Sequence, residues 1–184
     1  MTEVLLKQTR AETVATMIEG FFGTYPDPRT LSRANIELER RIASLGFGSQ
    51  RARQLRALAK ALLVAEPGVP TNWIDLPGIG PYSSGMVRAA LGARGVVAVD
   101  TNIARVVGRL YGARPTHSEA RKSTNIWQLA ERLTRSSRSS IQVLWALLDL
   151  GALLCRTRSP DCKACPLRLE CHYAITATRQ GLEI

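Results

Sequence analysis

Leu76-Pro77-Gly78-Ile79-Gly80-Pro81-Tyr82 is the stretch on which the fold turns. Two glycines in four residues let the backbone bend tightly and take a positive φ where the bend needs it. Helix resumes at Pro81, so the stretch joins two helical pieces. The free N–H groups at that helix start make an anion site suited to one phosphate. A Gly-x-Gly alone is weak evidence, and a plain helical hairpin would carry it equally well.

N-terminal to this turn, apolar spacing predicts a helix over 4–22, through Val4, Leu5, Val14, Met17, Ile18, Phe21 and Phe22. Tyr25-Pro26-Asp27-Pro28 breaks it. Asn35 is placed to cap a helix running to Leu45, stopped by Gly46 and Gly48. Ser49 is expected to cap the next, with Leu55, Leu58, Ala59, Leu62 and Leu63 on one face, and Pro67, Gly68 and Pro70 end it. A short piece from Thr71 leads into the turn. C-terminal to the turn, helix runs to about Leu91. Val96-Val97-Ala98-Val99 suits a strand, with no partner strand in view. Asp100 caps Thr101 to Tyr111, Ser118 caps a helix to about Leu133, and a last helix spans Ser139 to Leu154. The expectation is an all-α chain. Trp73, Trp127 and Trp145 read as core or hinge packing, and His117 and His172 as surface residues.

The chain has 184 residues and a formal net charge of +10. Of its 25 basic residues 21 are Arg, scattered rather than blocked, which points away from a basic tail. Arg presents a fixed fork of donors suited to phosphate oxygens, so a polyanion partner is expected, nucleic acid first. A genome that prefers Arg codons would give the same bias. An apolar fraction of 45% excludes a disordered chain. No apolar run approaches the roughly 20 residues of a membrane helix, and no secretory signal is visible. A soluble cytoplasmic protein without a membrane partner is expected.

All four cysteines fall near the C-terminus, as Cys155-x6-Cys162-x2-Cys165-x5-Cys171. Disulfides are disfavoured in a reducing compartment. Zinc sites usually pair two short Cys knuckles, and only one is present. Four thiolates also hold a [4Fe–4S] cube, but this spacing is neither ferredoxin pattern. The residues by themselves leave cluster and zinc nearly even.

The cysteine spacing, the Leu76–Tyr82 string and Val99-Asp100-Thr101-Asn102-Ile103-Ala104-Arg105-Val106 together resemble the endonuclease III-like helix-hairpin-helix DNA glycosylases. Glu3-Val4-Leu5-Leu6-Lys7-Gln8-Thr9 resembles a further motif of that family. The resemblance covers essentially the whole chain. It implies two helical lobes with the active-site cleft between them. One is a six-helix barrel-like hairpin lobe at 10–117. The other is a cluster lobe formed by 1–9 with 118–184, whose 155–171 loop carries a [4Fe–4S] cluster on Cys155, Cys162, Cys165 and Cys171. A monovalent cation at the hairpin is implied as well. The catalytic residues implied are Asp100, which stabilises the oxocarbenium-like sugar, Tyr82, which packs on the flipped nucleotide, and Glu3, which assists base departure. Taken alone, Asp100 is a helix cap and Glu3 a solvated terminus. Contacts to DNA are implied for Gln8, Gln50, Arg51, Arg53, Gly78, Ile79, Gly80, Arg105, Arg156, Arg158 and Lys163, with Arg168 adding charge. The partner is double-stranded DNA with a mismatch, bound by a monomer at the nucleoid.

Bifunctional relatives carry a lysine where this chain has Tyr82, and a phenol forms no Schiff base. A monofunctional glycosylase leaving an abasic site is therefore expected. Gln50-Arg51-Ala52-Arg53-Gln54-Leu55 looks like the enzymes that remove thymine or uracil opposite guanine. Asp149-Leu150-Gly151-Ala152 and Cys165-Pro166-Leu167 look closer to adenine glycosylases acting on A·G or A·8-oxoguanine. The first reading is preferred. The adenine enzymes and a catalytically weak DNA-scanning protein are the alternatives. Family members carry a few tens of residues ahead of the Glu3 motif, including a helix packed on the cluster domain. A catalytic core without that helix and without a lesion-reading domain is expected.

Overall fold

The computed structural model describes residues 1–65 and 72–181. Among these the chain is helical, without a strand, as expected for an all-α fold. The proposed break at Pro67, Gly68 and Pro70, and Thr71 after it, lie outside the described residues. No helix among them is long and apolar enough to cross a membrane. The chain divides into two compact units, Met1–Ser83 and Ser84–Ile184.

The first unit holds α1 (Thr2–Leu5), α2 (Ala11–Thr24), α3 (Pro28–Ser32), α4 (Ile36–Arg41) and α5 (Gly48–Val64). Its core gathers Val4, Leu5, Phe21, Leu31, Leu38, Ile42, Leu55 and Leu58, with α3 lying along α5. The single helix expected over 4–22 is two helices. The chain breaks at 6–10, where Gln8 takes a left-handed φ of 51° that no α-helix accommodates. Pro28 opens α3, and the Asp27 carboxylate caps it by accepting from the Thr30 amide at 2.8 Å. Asn35 caps α4 as expected, accepting from the Glu37 amide at 2.9 Å. Ser49 does not cap α5. The N-cap is Phe47, also left-handed at φ 52°, and the Ser49 hydroxyl instead donates to Glu39 Oε2 at 2.7 Å. Residues 1–9 hydrogen-bond to 45–51 and to Gly78 inside the first unit.

Helix α6 (Pro81–Ala90) spans the division between the units. The second unit continues with α7 (Thr101–Tyr111), α8 (Thr124–Arg135), α9 (Ser140–Asp149) and α10 (His172–Arg179). Helix α7 is central, packing against α8, α9 and α10 through Ile103, Ala104, Val106 and Val107. Helix α8 starts at Thr124 rather than after Ser118, with Ser123 at its N-cap. Helix α9 passes into a π-helical turn, Leu150–Leu154, which delivers Cys155. Trp145 lies on the outer face of α9 and is 54% exposed, so it is not core packing. Val96–Val99 is extended but pairs with no strand. Its backbone lies against α6 at Gly85, where an added Cβ would sit 2.1 Å from the Val97 carbonyl oxygen.

Candidate active site

The hairpin turn forms between a 3-10 turn (Trp73–Asp75) and α6, in the first unit. The Ile79 amide donates to the Leu76 carbonyl at 3.0 Å and closes the bend. Of its two glycines only Gly78 takes a positive φ, 77°. The turn is seated on its own unit, since a Cβ at Gly78 would lie 3.7 Å from Gln54 and 3.8 Å from Val4. The Lys7 ammonium donates to the Gly78 carbonyl.

Arg51 corrects the sequence expectation. The family resemblance puts it among the DNA contacts, yet it is 4% exposed. Its Nη1 donates to the carbonyls of Val4 (2.5 Å) and Leu5 (2.9 Å). Its Nη2 donates to the Lys7 carbonyl (2.9 Å), Thr9 Oγ1 (3.1 Å) and the Leu45 carbonyl (3.2 Å). Nε reaches the Gly46 carbonyl at 3.4 Å. Burial lowers its pKa, but a guanidinium remains a cation. With every N–H engaged by the protein it offers none to a phosphate.

Around this buried cation, Gln8, Phe47, Gln50 and Arg53 are exposed. Phe47 is 67% exposed on a strained backbone, and the sequence reading missed it. The available signal was an aromatic residue between two glycines, Gly46-Phe47-Gly48. Glu3 is half-buried on α1. Burial raises its carboxyl pKa above the ordinary 4.5, against the lowering pull of the N-terminal ammonium, the Ser83 hydroxyl and Lys7. Tyr82 is half-buried on the first turn of α6.

Asp100 is the N-cap of α7, its Oδ1 accepting from the Ile103 amide at 2.7 Å. That contact fixes the carboxylate and engages one oxygen. Two arginines, one and two turns further along α7, hold the chain around the first cysteine. Arg105 donates from Nε to the Cys155 carbonyl (2.7 Å), and from Nη2 to the Gly151 carbonyl and Asn102 Oδ1 (both 2.8 Å). Nε and Nη2 of Arg105 are thus engaged inside the second unit, on a side chain that is half-buried. Arg109 donates from Nη1 to the Arg156 carbonyl (2.7 Å) and toward Cys155 Sγ (3.4 Å), and from Nη2 to the Thr157 carbonyl (3.0 Å). Its guanidinium also lies over the Tyr173 ring, 4.8 Å from the centroid. Arg156, Arg158, Lys163 and Arg168 are exposed on the same loop.

The four cysteines form no disulfide and line one small cavity with Arg109, Arg168 and Tyr173. Burial first, and then the other three cysteines, push the Cys162 thiol up. No three His, Cys, Asp or Glu side chains among the described residues are close enough to hold one metal ion. Four thiols lining one cavity are a donor set of the kind that metal and metal–sulfur groups use.

Residues 1–133 match the family described as HhH-GPD superfamily base excision DNA repair protein. A thymine/uracil-DNA glycosylase of Methanothermobacter thermautotrophicus is 31% identical over 94% of this chain and 80% of its own length. A thymine-DNA glycosylase of Aeropyrum pernix is 30% identical over 92% and 78%. An adenine DNA glycosylase of Schizosaccharomyces pombe is 30% identical over 93% of this chain but 38% of its own length. Among solved structures, a thermostable thymine-DNA glycosylase superposes with a TM-score of 0.81 at 31% identity, covering 95% of this chain and 82% of that one. An endonuclease III in a non-covalent DNA complex gives 0.78 at 25% identity, covering 96% and 82%. The chain belongs to the HhH-GPD superfamily of base excision DNA repair proteins and is a DNA glycosylase.

Proposed function

We propose that the chain is a monofunctional mismatch glycosylase that removes thymine or uracil opposite guanine and leaves an abasic site in an intact strand. The observation that carries this reading is the first unit's array: a tight hairpin turn closed at Gly78, the exposed residues Gln8 and Phe47, and a Glu3 whose carboxyl burial favours in the protonated form. The names of the relatives matched over most of their length support the choice of base.

The hairpin amides and the exposed arginines hold phosphates of a mispaired duplex. A mispaired nucleotide costs less to extrude than a paired one, which supplies part of the selectivity. Gln8 and Phe47 fill the gap it leaves, Phe47 by stacking. Tyr82 packs on the extruded nucleotide and forms no covalent bond with the sugar. The bond between C1′ and the base nitrogen breaks with its electron pair leaving on the base. The Asp100 carboxylate stabilises the cationic sugar, where a charge is worth most away from water. Protonated Glu3 donates a proton to the departing base, and water adds to C1′, giving up a proton that returns through solvent to the Glu3 carboxylate.

Cys155, Cys162, Cys165 and Cys171 would hold a [4Fe–4S] cluster as thiolates, and the group would cross-link the 155–171 loop that presents Arg156, Arg158 and Lys163. The protein acts as a monomer on nucleoid DNA.

A gel assay with G·T, G·U, A·G and A·8-oxoguanine duplexes, with and without alkali, tests the reading. Strand breaks on G·T and G·U that appear only after alkali are expected. Cleavage confined to the adenine mispairs, or a borohydride-trapped covalent complex, would overturn it.

A further inference from the structure

We propose that Arg51 is a positioning residue whose buried guanidinium clamps two left-handed turns together, so that Gln8 and Phe47 are presented as one preformed tip. The inference rests on the function proposed above, and one arm of its test does not depend on that reading.

Two residues bearing a Cβ, Gln8 at φ 51° and Phe47 at φ 52°, take a backbone conformation that is costly for any residue but glycine. Such conformations persist where the surroundings over-determine them, and they cluster at working sites. The over-determination here comes from one side chain. Arg51 bonds the Lys7 carbonyl just before Gln8 and the Thr9 hydroxyl just after it. It bonds the Leu45 and Gly46 carbonyls just before Phe47. Thr9 Oγ1 closes the clamp, lying 3.1 Å from the carbonyls of both Lys7 and Leu45. The remaining donors cap the carbonyls of Val4 and Leu5 at the end of α1.

No carboxylate among the described residues hydrogen-bonds Arg51, so its charge is balanced by carbonyl dipoles. A planar fork of five N–H groups reaches acceptors on both turns at once. Three donors radiating from a single lysine nitrogen do not span them. A tip ordered in advance loses less entropy when it enters the duplex than two mobile loops would.

The test uses the full-length protein, with Arg51→Lys as the main variant and Thr9→Val as a milder one that folds if the first does not. Hydrogen exchange without DNA is read at 6–9 and 45–48. With DNA, 2-aminopurine fluorescence beside the mispair reports base extrusion, and affinity for a fully matched duplex reports the rest of the binding surface. In Arg51→Lys, exchange should rise in both turns together. Extrusion and the single-turnover rate should fall by about tenfold or more, while matched-duplex affinity stays within about twofold of the parent. Thr9→Val should show the same pattern more weakly. Adding Phe47→Ala to Arg51→Lys should cost nothing further, because the tip is already lost.

Exchange that rises in one turn only or in neither, additive losses in the double variant, or matched-duplex affinity lost in step with extrusion would each overturn the clamp. If the parent protein extrudes no base from any mispair, the proposed function fails, and the exchange measurement still decides the clamp.

Discussion

Arg51 lies in the first turn of α5 in the first unit, and the pair Arg105 and Arg109 lies on α7 in the second. All three engage backbone carbonyls of their own unit. Arg51 is buried, and its donors hold the end of α1 together with the turns that carry two exposed side chains. Arg105 and Arg109 are half-buried and grip the chain at Cys155, with one N–H directed at the Cys155 sulfur. One unit shapes an aromatic tip and the other shapes a cysteine loop. The arginine excess that suggests DNA is therefore partly internal scaffolding. A basic residue counts toward an interface only after its existing acceptors are known.

The largest expected effect separates the proposed reacting residue of α7, Asp100, from its scaffold. Asp100→Asn should slow base release about a thousandfold. It should barely change thermal stability, because Asn caps a helix as well as Asp, whereas Asp100→Ala should cost about 1 kcal/mol as well as activity. An Asn variant that melts early would make Asp100 chiefly a cap.

In the first unit the corresponding residue is Glu3. Burial raises its pKa above 4.5, so the folded chain binds more protons than the unfolded one between 4.5 and the raised value. Stability should fall as pH rises through that window, and base release should fall with it as the acid is lost. Glu3→Gln should flatten both profiles and lower the rate about a hundredfold. An unchanged alkaline limb in that variant would remove Glu3 from the chemistry.

Cys162→Ser should abolish binding of the proposed cluster, read as iron content, and lower the melting temperature by about 5–10 °C. Exchange should rise at 155–171 and along α7, with the turns at Gln8 and Phe47 unchanged. Simultaneous loosening of those turns would erase the contrast drawn above. The smallest effect is electrostatic. Arg156→Ala should reduce the salt dependence of DNA binding by about one unit of slope, while Arg51→Lys leaves it unaltered. An equal change in both would put Arg51 at the interface after all.

Much of this was legible in the residues. Asp27-Pro28, Asn35 and Asp100 are local devices, in which a short polar side chain meets the amides two or three positions on. Of these, Asn35 and Asp100 are expected as caps from the sequence, each where the structure has it, while the helix opened by Pro28 is not expected. The hairpin string and the cysteine spacing were legible because several residues must agree at fixed intervals. The break at 6–10 was not, because its cause is Arg51, more than forty positions away. Nothing in Leu6-Lys7-Gln8-Thr9 announces a left-handed residue. The Phe47 cap was obscured by Ser49, whose type suits a cap better but whose hydroxyl turns to Glu39. The fate of the arginines depends on tertiary acceptors, which composition does not encode.

The extended run Val96–Val99 has a consequence for how the protein fails. Val96, Ala98 and Val99 are nearly fully buried, and the backbone at Val97 is pressed onto Gly85 so closely that no Cβ fits. These are four consecutive apolar, uncharged residues that opening this contact would expose to water. Helix α6 thus acts as a cover over an apolar extended segment of the chain. Gly85→Ala would lift that cover, and the loss would register as insoluble protein during expression before any defect in repair was measured.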